Sequence, residues 1–223
     1  MLGAGDSPIN GCQGGVGVQV GSHHGSQAGT ASLQNDTING YQKNGITVDG
    51  SGSSATINNT TVVGAGPTNV IAQNGIQVSR GAVAKITNST ISNDDIGIDF
   101  EESGTSQLSV SGSKFDGNRY TSLYILEGSV SIKKSTMNGG EDGIDLYQFA
   151  SENAGPAGTA TSDTIENMSS YAVVGFSDKE PTDPGGTFRV IKSKISGNPA
   201  GASVAESVFS ESPSLTITTE NDS

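Results

Sequence analysis

Apolar and polar residues alternate along this chain in short bursts, and the bursts recur. One burst reads small–apolar–x–apolar. It appears as Gly17-Val18-Gln19-Val20, Gly45-Ile46-Thr47-Val48, Gly75-Ile76-Gln77-Val78 and Gly97-Ile98-Asp99-Phe100. It continues as Ser122-Leu123-Tyr124-Ile125, Gly143-Ile144-Asp145-Leu146, Ala172-Val173-Val174-Gly175 and Gly201-Ala202-Ser203-Val204. The repeats start about 26 residues apart on average, as the sequence counts out. Between them lie apolar pairs five apart: Leu33/Ile38, Ile57/Val62, Ile86/Ile91, Val110/Phe115, Ile132/Met137 and Val190/Ile195, with Ala160/Ile165 a weaker member. Three residues after the first member of each pair stands a small polar residue: Asp36, Thr60, Ser89, Ser113, Ser135, Asp163, Ser193.

Alternation over four residues is the signature of a strand, and Val and Ile favour strands over helices. Two apolar residues five apart both face inward only if the chain bends between them. The recurring polar residue sits at that bend, where its side chain can satisfy turn amides. A unit of about 26 residues cannot bury its apolar face alone, but stacked units can. The pattern therefore predicts an all-β solenoid of about eight coils, each rising about 4.8 Å. Composition agrees: 32% hydrophobic and 5% aromatic residues, with no Trp, suit a narrow core. Residues 1–13 read as an irregular leader and 14–223 as one domain. Leu215-Thr216-Ile217-Thr218 begins a further second strand that does not finish, so the domain is expected to be incomplete at its C-terminal end. Missing end caps are expected of a fragment, and bare strand edges would permit end-to-end self-association.

Asn44-Gly45-Ile46-Thr47-Val48 with Asn59-Thr60-Thr61-Val62, and Gln73-Asn74-Gly75-Ile76-Gln77-Val78 with Asn88-Ser89-Thr90-Ile91, resemble the right-handed parallel β-helix repeat family of the pectate-lyase-like superfamily. The likeness covers about residues 14–217. It implies a right-handed parallel β-helix and raises carbohydrate as the ligand class. The repeat itself encodes coil geometry rather than chemistry.

Charge narrows the partners. Twenty-three acids against 11 Lys and Arg give a net charge of −12, which disfavours nucleic acid and anionic membranes. No run of 18 apolar residues predicts a spanning helix. Cys12 is the single cysteine, so no intrachain disulfide can form. The fold and the acidic surface point to an extracellular or cell-surface setting, although Met1-Leu2-Gly3-Ala4-Gly5 lacks the form of a signal peptide.

Aligning the repeats gathers candidate chemistry on coils four to six. Asp99, Tyr124 and Asp145 fall on one outward column of the first strand. In the turn before that strand lie Asp94 and Asp95, then Arg119 and Tyr120, then Glu141 and Asp142. The ligand-binding candidates are Asp94, Asp99, Tyr120, Tyr124, Glu141 and Asp145. Asp94, Asp95 and Asp142 are candidate oxygen ligands for Ca²⁺. If the chain is catalytic, Asp95, Asp99, Arg119 and Asp145 are the candidates. The competing reading is a solvated acidic face neutralised by Arg119. Asn93-Asp94-Asp95 also resembles the paired-Asp motif of polygalacturonase-like glycosidases. Those enzymes add a Gly-His-Gly and an Arg-x-Lys downstream. Here His23-His24-Gly25 lies upstream and Arg189-Val190-Ile191-Lys192 is differently spaced, which puts that chemistry in doubt. His23-His24 itself reads as a surface loop. The Asn-x-Ser/Thr sites at Asn35, Asn58, Asn59, Asn88 and Asn167 read as bend residues.

Three functions follow. The first is a carbohydrate-associated β-helix that binds or presents a polysaccharide. The second is a polysaccharide lyase or glycoside hydrolase, in whole or in part. The third is a structural spacer with no ligand.

Overall fold

Each repeat folds into three short strands rather than two, because the bend divides the second burst. The computed structural model describes residues 9, 11, 14–101, 106–149, 154–177, 185–211 and 214–223. The predicted leader and Cys12 lie almost wholly outside them. In the second coil the strands are Asn44–Asp49, Ser54–Asn58 and Thr61–Val63. Corresponding strands of successive coils pair in parallel. Among the described residues they form a first sheet of eight strands, a second of eight and a third of seven. That amounts to about seven complete turns and part of another. No described helix is long and apolar enough to cross a membrane.

The register confirms the repeat alignment. Ile46 pairs with Ile76, Ile76 with Ile98, Ile98 with Leu123 and Leu123 with Ile144. These side chains are wholly buried. In the third sheet a single inward column runs Ile38, Val62, Ile91, Phe115, Met137, Ile165, Ile195. The glycine that opens each first-sheet burst has a steric reason. A Cβ at Gly17, Gly45, Gly75, Gly97 or Gly143 would lie 2.5 to 2.7 Å from a carbonyl oxygen of the next coil. It would also meet a third-sheet side chain, such as Phe115 at Gly97.

The bend residues form a continuous ladder. The backbone N–H of Thr60 donates to Ser89 Oγ, Ser89 to Ser113, Ser113 to Ser135, Ser135 to Asp163 Oδ1 and Asp163 to Ser193. Ser193 donates in turn to Asp222, an eighth member that the apolar-pair pattern misses because Thr219 fills the first position. Each serine hydroxyl also donates to the carbonyl two residues back, as Ser113 does to Ser111 at 3.2 Å. Every bend residue from Thr60 onward is preceded by a residue of positive φ, among them Asn59 and Asn88. That conformation accounts for the asparagines at these sites. Ser113→Ala should leave the buried Ser89 N–H without its acceptor and cost about 1–3 kcal/mol. Urea denaturation followed by circular dichroism measures this; an unchanged midpoint would mean that water replaces the hydroxyl.

One repeat departs from the sequence expectation. Gly201-Ala202-Ser203-Val204 is not a strand. Ser203 caps a four-residue helix, Val204–Ser207, and Glu206 completes a capping box with it. The first-sheet strand of that coil follows at Val208–Ser210 and pairs with Val173–Gly175. A second feature is the ten-residue connection 64–73 between the strands Thr61–Val63 and Asn74–Ser79.

Candidate functional site

The outward column of the first sheet is the frame of the site. Gln77, Asp99, Tyr124, Asp145, Val174 and Phe209 succeed one another in register. In the turn before the strand, the Asp94 carbonyl accepts from Arg119 N–H and the Arg119 carbonyl from Glu141 N–H. Asp95, Tyr120 and Asp142 stack in the same way. The backbone thus brings the predicted residues into two adjacent columns. Their side chains part company.

Asp94 and Asp95 are 0% exposed. Asp94 Oδ1 accepts from the Tyr41 hydroxyl at 2.5 Å, and its Oδ2 has no partner. Burial raises its pKa to about 8, against the Tyr41 hydrogen bond, with the Asp95 charge adding to the rise. Asp95 accepts from the Gln73 N–H and lies 3.6 Å from the Arg119 guanidinium. Neither carboxylate reaches the open face. Both are interior anchors beneath the 64–73 connection, which Arg119 also holds through Thr68 O and Asn69 Oδ1. Arg119 therefore neutralises a buried acid rather than a surface ladder. Asp99 is likewise covered and accepts from Asn74 Nδ2 at 2.7 Å.

The remaining candidates do meet. Tyr120, Tyr124, Glu141, Asp142 and Asp145 line one open cleft of about 320 Å³ with Phe176 from the next coil. Ile96 and Thr121 complete the lining. Asp142 and Asp145 lie three apart on the strand Asp142–Gln148, Asp142 buried and Asp145 partly so, close enough to act on each other's charge. Burial raises the pKa of both. Asp145 is raised further by the charges of Asp142 and Glu141, whereas the Tyr171 N–H draws Asp142 back down. The aromatic wall continues along the axis. Tyr147 lies 6.2 Å from Tyr124 and 5.9 Å from Phe176, ring centre to ring centre, with Phe149 at 4.6 Å. Tyr120 is 40% exposed and carries the Arg119 guanidinium 4.7 Å above its ring. It also borders a second cleft, of about 340 Å³, formed by Thr68 to Ala72.

Phe176 and Tyr147 were not among the sequence candidates. Extending the first-sheet register one residue past the repeated four pairs Tyr147 with Phe176 and would have found them. The proposed calcium ligands do not converge: Asp94 turns to Tyr41, Asp95 to Arg119, and Asp142 to Tyr171. Among the described residues no three His, Cys, Asp or Glu side chains are grouped to hold a metal ion. His23 and His24 lie in an exposed turn, where the His23 N–H donates to Asp49.

The sequence matches the family of the right handed beta helix region over residues 20–210. This chain belongs to that family. No curated protein sequence matches it. Among solved structures, this β-helix is similar to the catalytic unit of a thermostable GH87 alpha-1,3-glucanase from Streptomyces thermodiastaticus strain HF3-3. The TM-score is 0.55 at 12% identity, over 94% of this chain and 46% of that one. The likeness is one of fold, and this β-helix spans less than half the length of that glucanase chain.

Proposed function

We propose that this β-helix binds carbohydrate, through the cleft on coils five to seven, and works outside the cell or on its surface. The observation that carries the reading is the pairing of aromatic walls with carboxyls in one open cleft. Tyr120, Tyr124 and Phe176 offer flat apolar faces to sugar rings, while Asp142, Asp145 and Glu141 offer acceptors to sugar hydroxyls. A fold shared with a glucanase catalytic unit supports the ligand class.

Binding is favoured over hydrolysis by the acid pair. Glycosidase carboxyls stand roughly 5–5.5 Å apart in retaining enzymes and roughly 6.5–9.5 Å apart in inverting ones, leaving room for sugar or water between them. Asp142 and Asp145 instead stand against each other, the charge of Asp142 helping to raise Asp145. Asp94 and Asp95 are sealed from substrate.

A glycan array probed with the full chain tests the proposal. Binding to at least one polysaccharide class is expected, and Tyr124→Ala should weaken it about tenfold or more, as for a central aromatic anchor. Silence across the array would remove the proposal. Release of reducing ends or unsaturated sugars by the full chain would replace it with the enzymatic reading.

A further inference from the structure

The cleft is lined by three acids and no base. The nearest guanidinium, Arg119, is committed to Asp95 and to the 68–69 backbone and side chain. Asp145 Oδ1 is buried and receives no N–H or O–H donor. The Tyr124 and Phe176 rings border the same space, and aromatic faces attract cations through their quadrupole; the Tyr120 face already carries Arg119. A neutral sugar hydroxyl would satisfy one lone pair there and leave the crowded negative charge in place. A protonated amine would pair with the accessible side of the Asp145 carboxyl, offset Glu141 and Asp142, and lie against the Tyr124 and Phe176 rings. A uronate would add a further negative charge.

Resting on the carbohydrate-binding reading above, we propose that the cleft selects amine-bearing sugars, taking the protonated amino group of a glucosamine-type residue between Asp145, Glu141 and the aromatic wall. The charges that bear on Asp145 are those of Glu141 and Asp142 from its own coil, with Tyr124 from the coil before beside it, and the one nearby cation, Arg119, is held over Tyr120 and against Asp95. Seating the amine stabilises the ionised form of the Asp142–Asp145 pair. At a pH low enough for the free amine to be protonated already, binding should therefore expel a proton.

Calorimetry on the full chain tests this, with oligomers of glucosamine, N-acetylglucosamine, glucose and galacturonate as probes, in two buffers of different ionisation enthalpy. Glucosamine oligomers should bind about tenfold more tightly than their acetylated counterparts, a difference of about 1.4 kcal/mol. Only they should release a proton, and galacturonate should bind most weakly. Asp145→Asn keeps the side-chain shape and should abolish both the preference and the proton release. Glu141→Gln, at an exposed position, should reduce the preference and serves if the first variant fails to fold. Equal or tighter binding of acetylated or glucose oligomers would overturn this inference and leave carbohydrate binding standing. So would an unchanged preference in both variants. No binding of any oligomer would remove both.

Discussion

Phe115→Ala is expected to destabilise the protein by about 3–5 kcal/mol. Phe115 is wholly buried and is the largest side chain in the third-sheet column, between Ile91 and Met137. Gly97 of the first sheet lies against its ring, so closely that a Cβ there would sit 3.0 Å from Cδ1. The ring therefore joins two sheets in the middle of the stack. Its column-mates cannot slide to fill the gap, because the bend ladder ties each coil to the next and fixes their spacing. The loss should exceed that of Phe115→Leu, which retains most of the volume and should cost less than about 2 kcal/mol. A solenoid is held mainly by contacts between neighbouring coils, so a central cavity also weakens coupling between its halves. Urea denaturation should show a lower midpoint and a shallower transition. A midpoint shift worth less than about 1 kcal/mol would mean that the coils close around the cavity.

The same residues explain why the fold could be read in the sequence. A β-helix coil has little freedom: its inward positions, its bend oxygen and its close-approach glycine each demand a particular residue type, and each recurs. The reading failed where two local rules competed for the same letters. Gly201-Ala202-Ser203-Val204 satisfies the strand pattern, but Ser203 and Glu206 also satisfy the capping box, and the helical turn forms. The three-stranded coil was only half visible, since a bend within a five-residue spacing does not say that the strand changes sheet.

The candidate site was legible as columns and not as surfaces. Register alone set Asp99, Tyr124 and Asp145 in line. Exposure depends on what crosses over the column, which no periodicity encodes. Asp94 is sealed by Tyr41, fifty-three residues earlier, and Asp95 by the 64–73 connection. The paired aspartates that most resembled a glycosidase motif thus became structural, whereas Asp142, read only as a metal candidate, became half of the acid pair in the cleft.

Those sealed acids lead to the second large effect: the protein should be more stable at pH 5 than at pH 9. Asp94 holds its proton to about pH 8 in the folded chain, because burial disfavours the carboxylate, against an ordinary value of about 3.9 when unfolded. Asp163, buried in the bend ladder with one oxygen unpaired, is raised to about 7 by the same cause. Between about pH 4 and 8 the folded state therefore carries protons that the unfolded state has lost. Stability from this source is complete below about pH 4 and is lost as pH climbs through the folded values. For Asp94 the loss should be on the order of 2–5 kcal/mol, allowing for relaxation around the ionised group. The net charge of −12 pulls in the same direction through general repulsion, so the wild-type profile alone does not isolate the aspartate. Asp94→Asn does. It removes one ionisable group while keeping an acceptor for the Tyr41 hydroxyl. Denaturation midpoints at pH 5, 7 and 9 should fall steeply for the wild type and much less for the variant, with the largest difference at pH 9. Parallel profiles would show that Asp94 is already ionised at neutral pH. The unpaired Oδ2 would then be held by a donor, and the interior beneath the 64–73 connection would be wet rather than sealed.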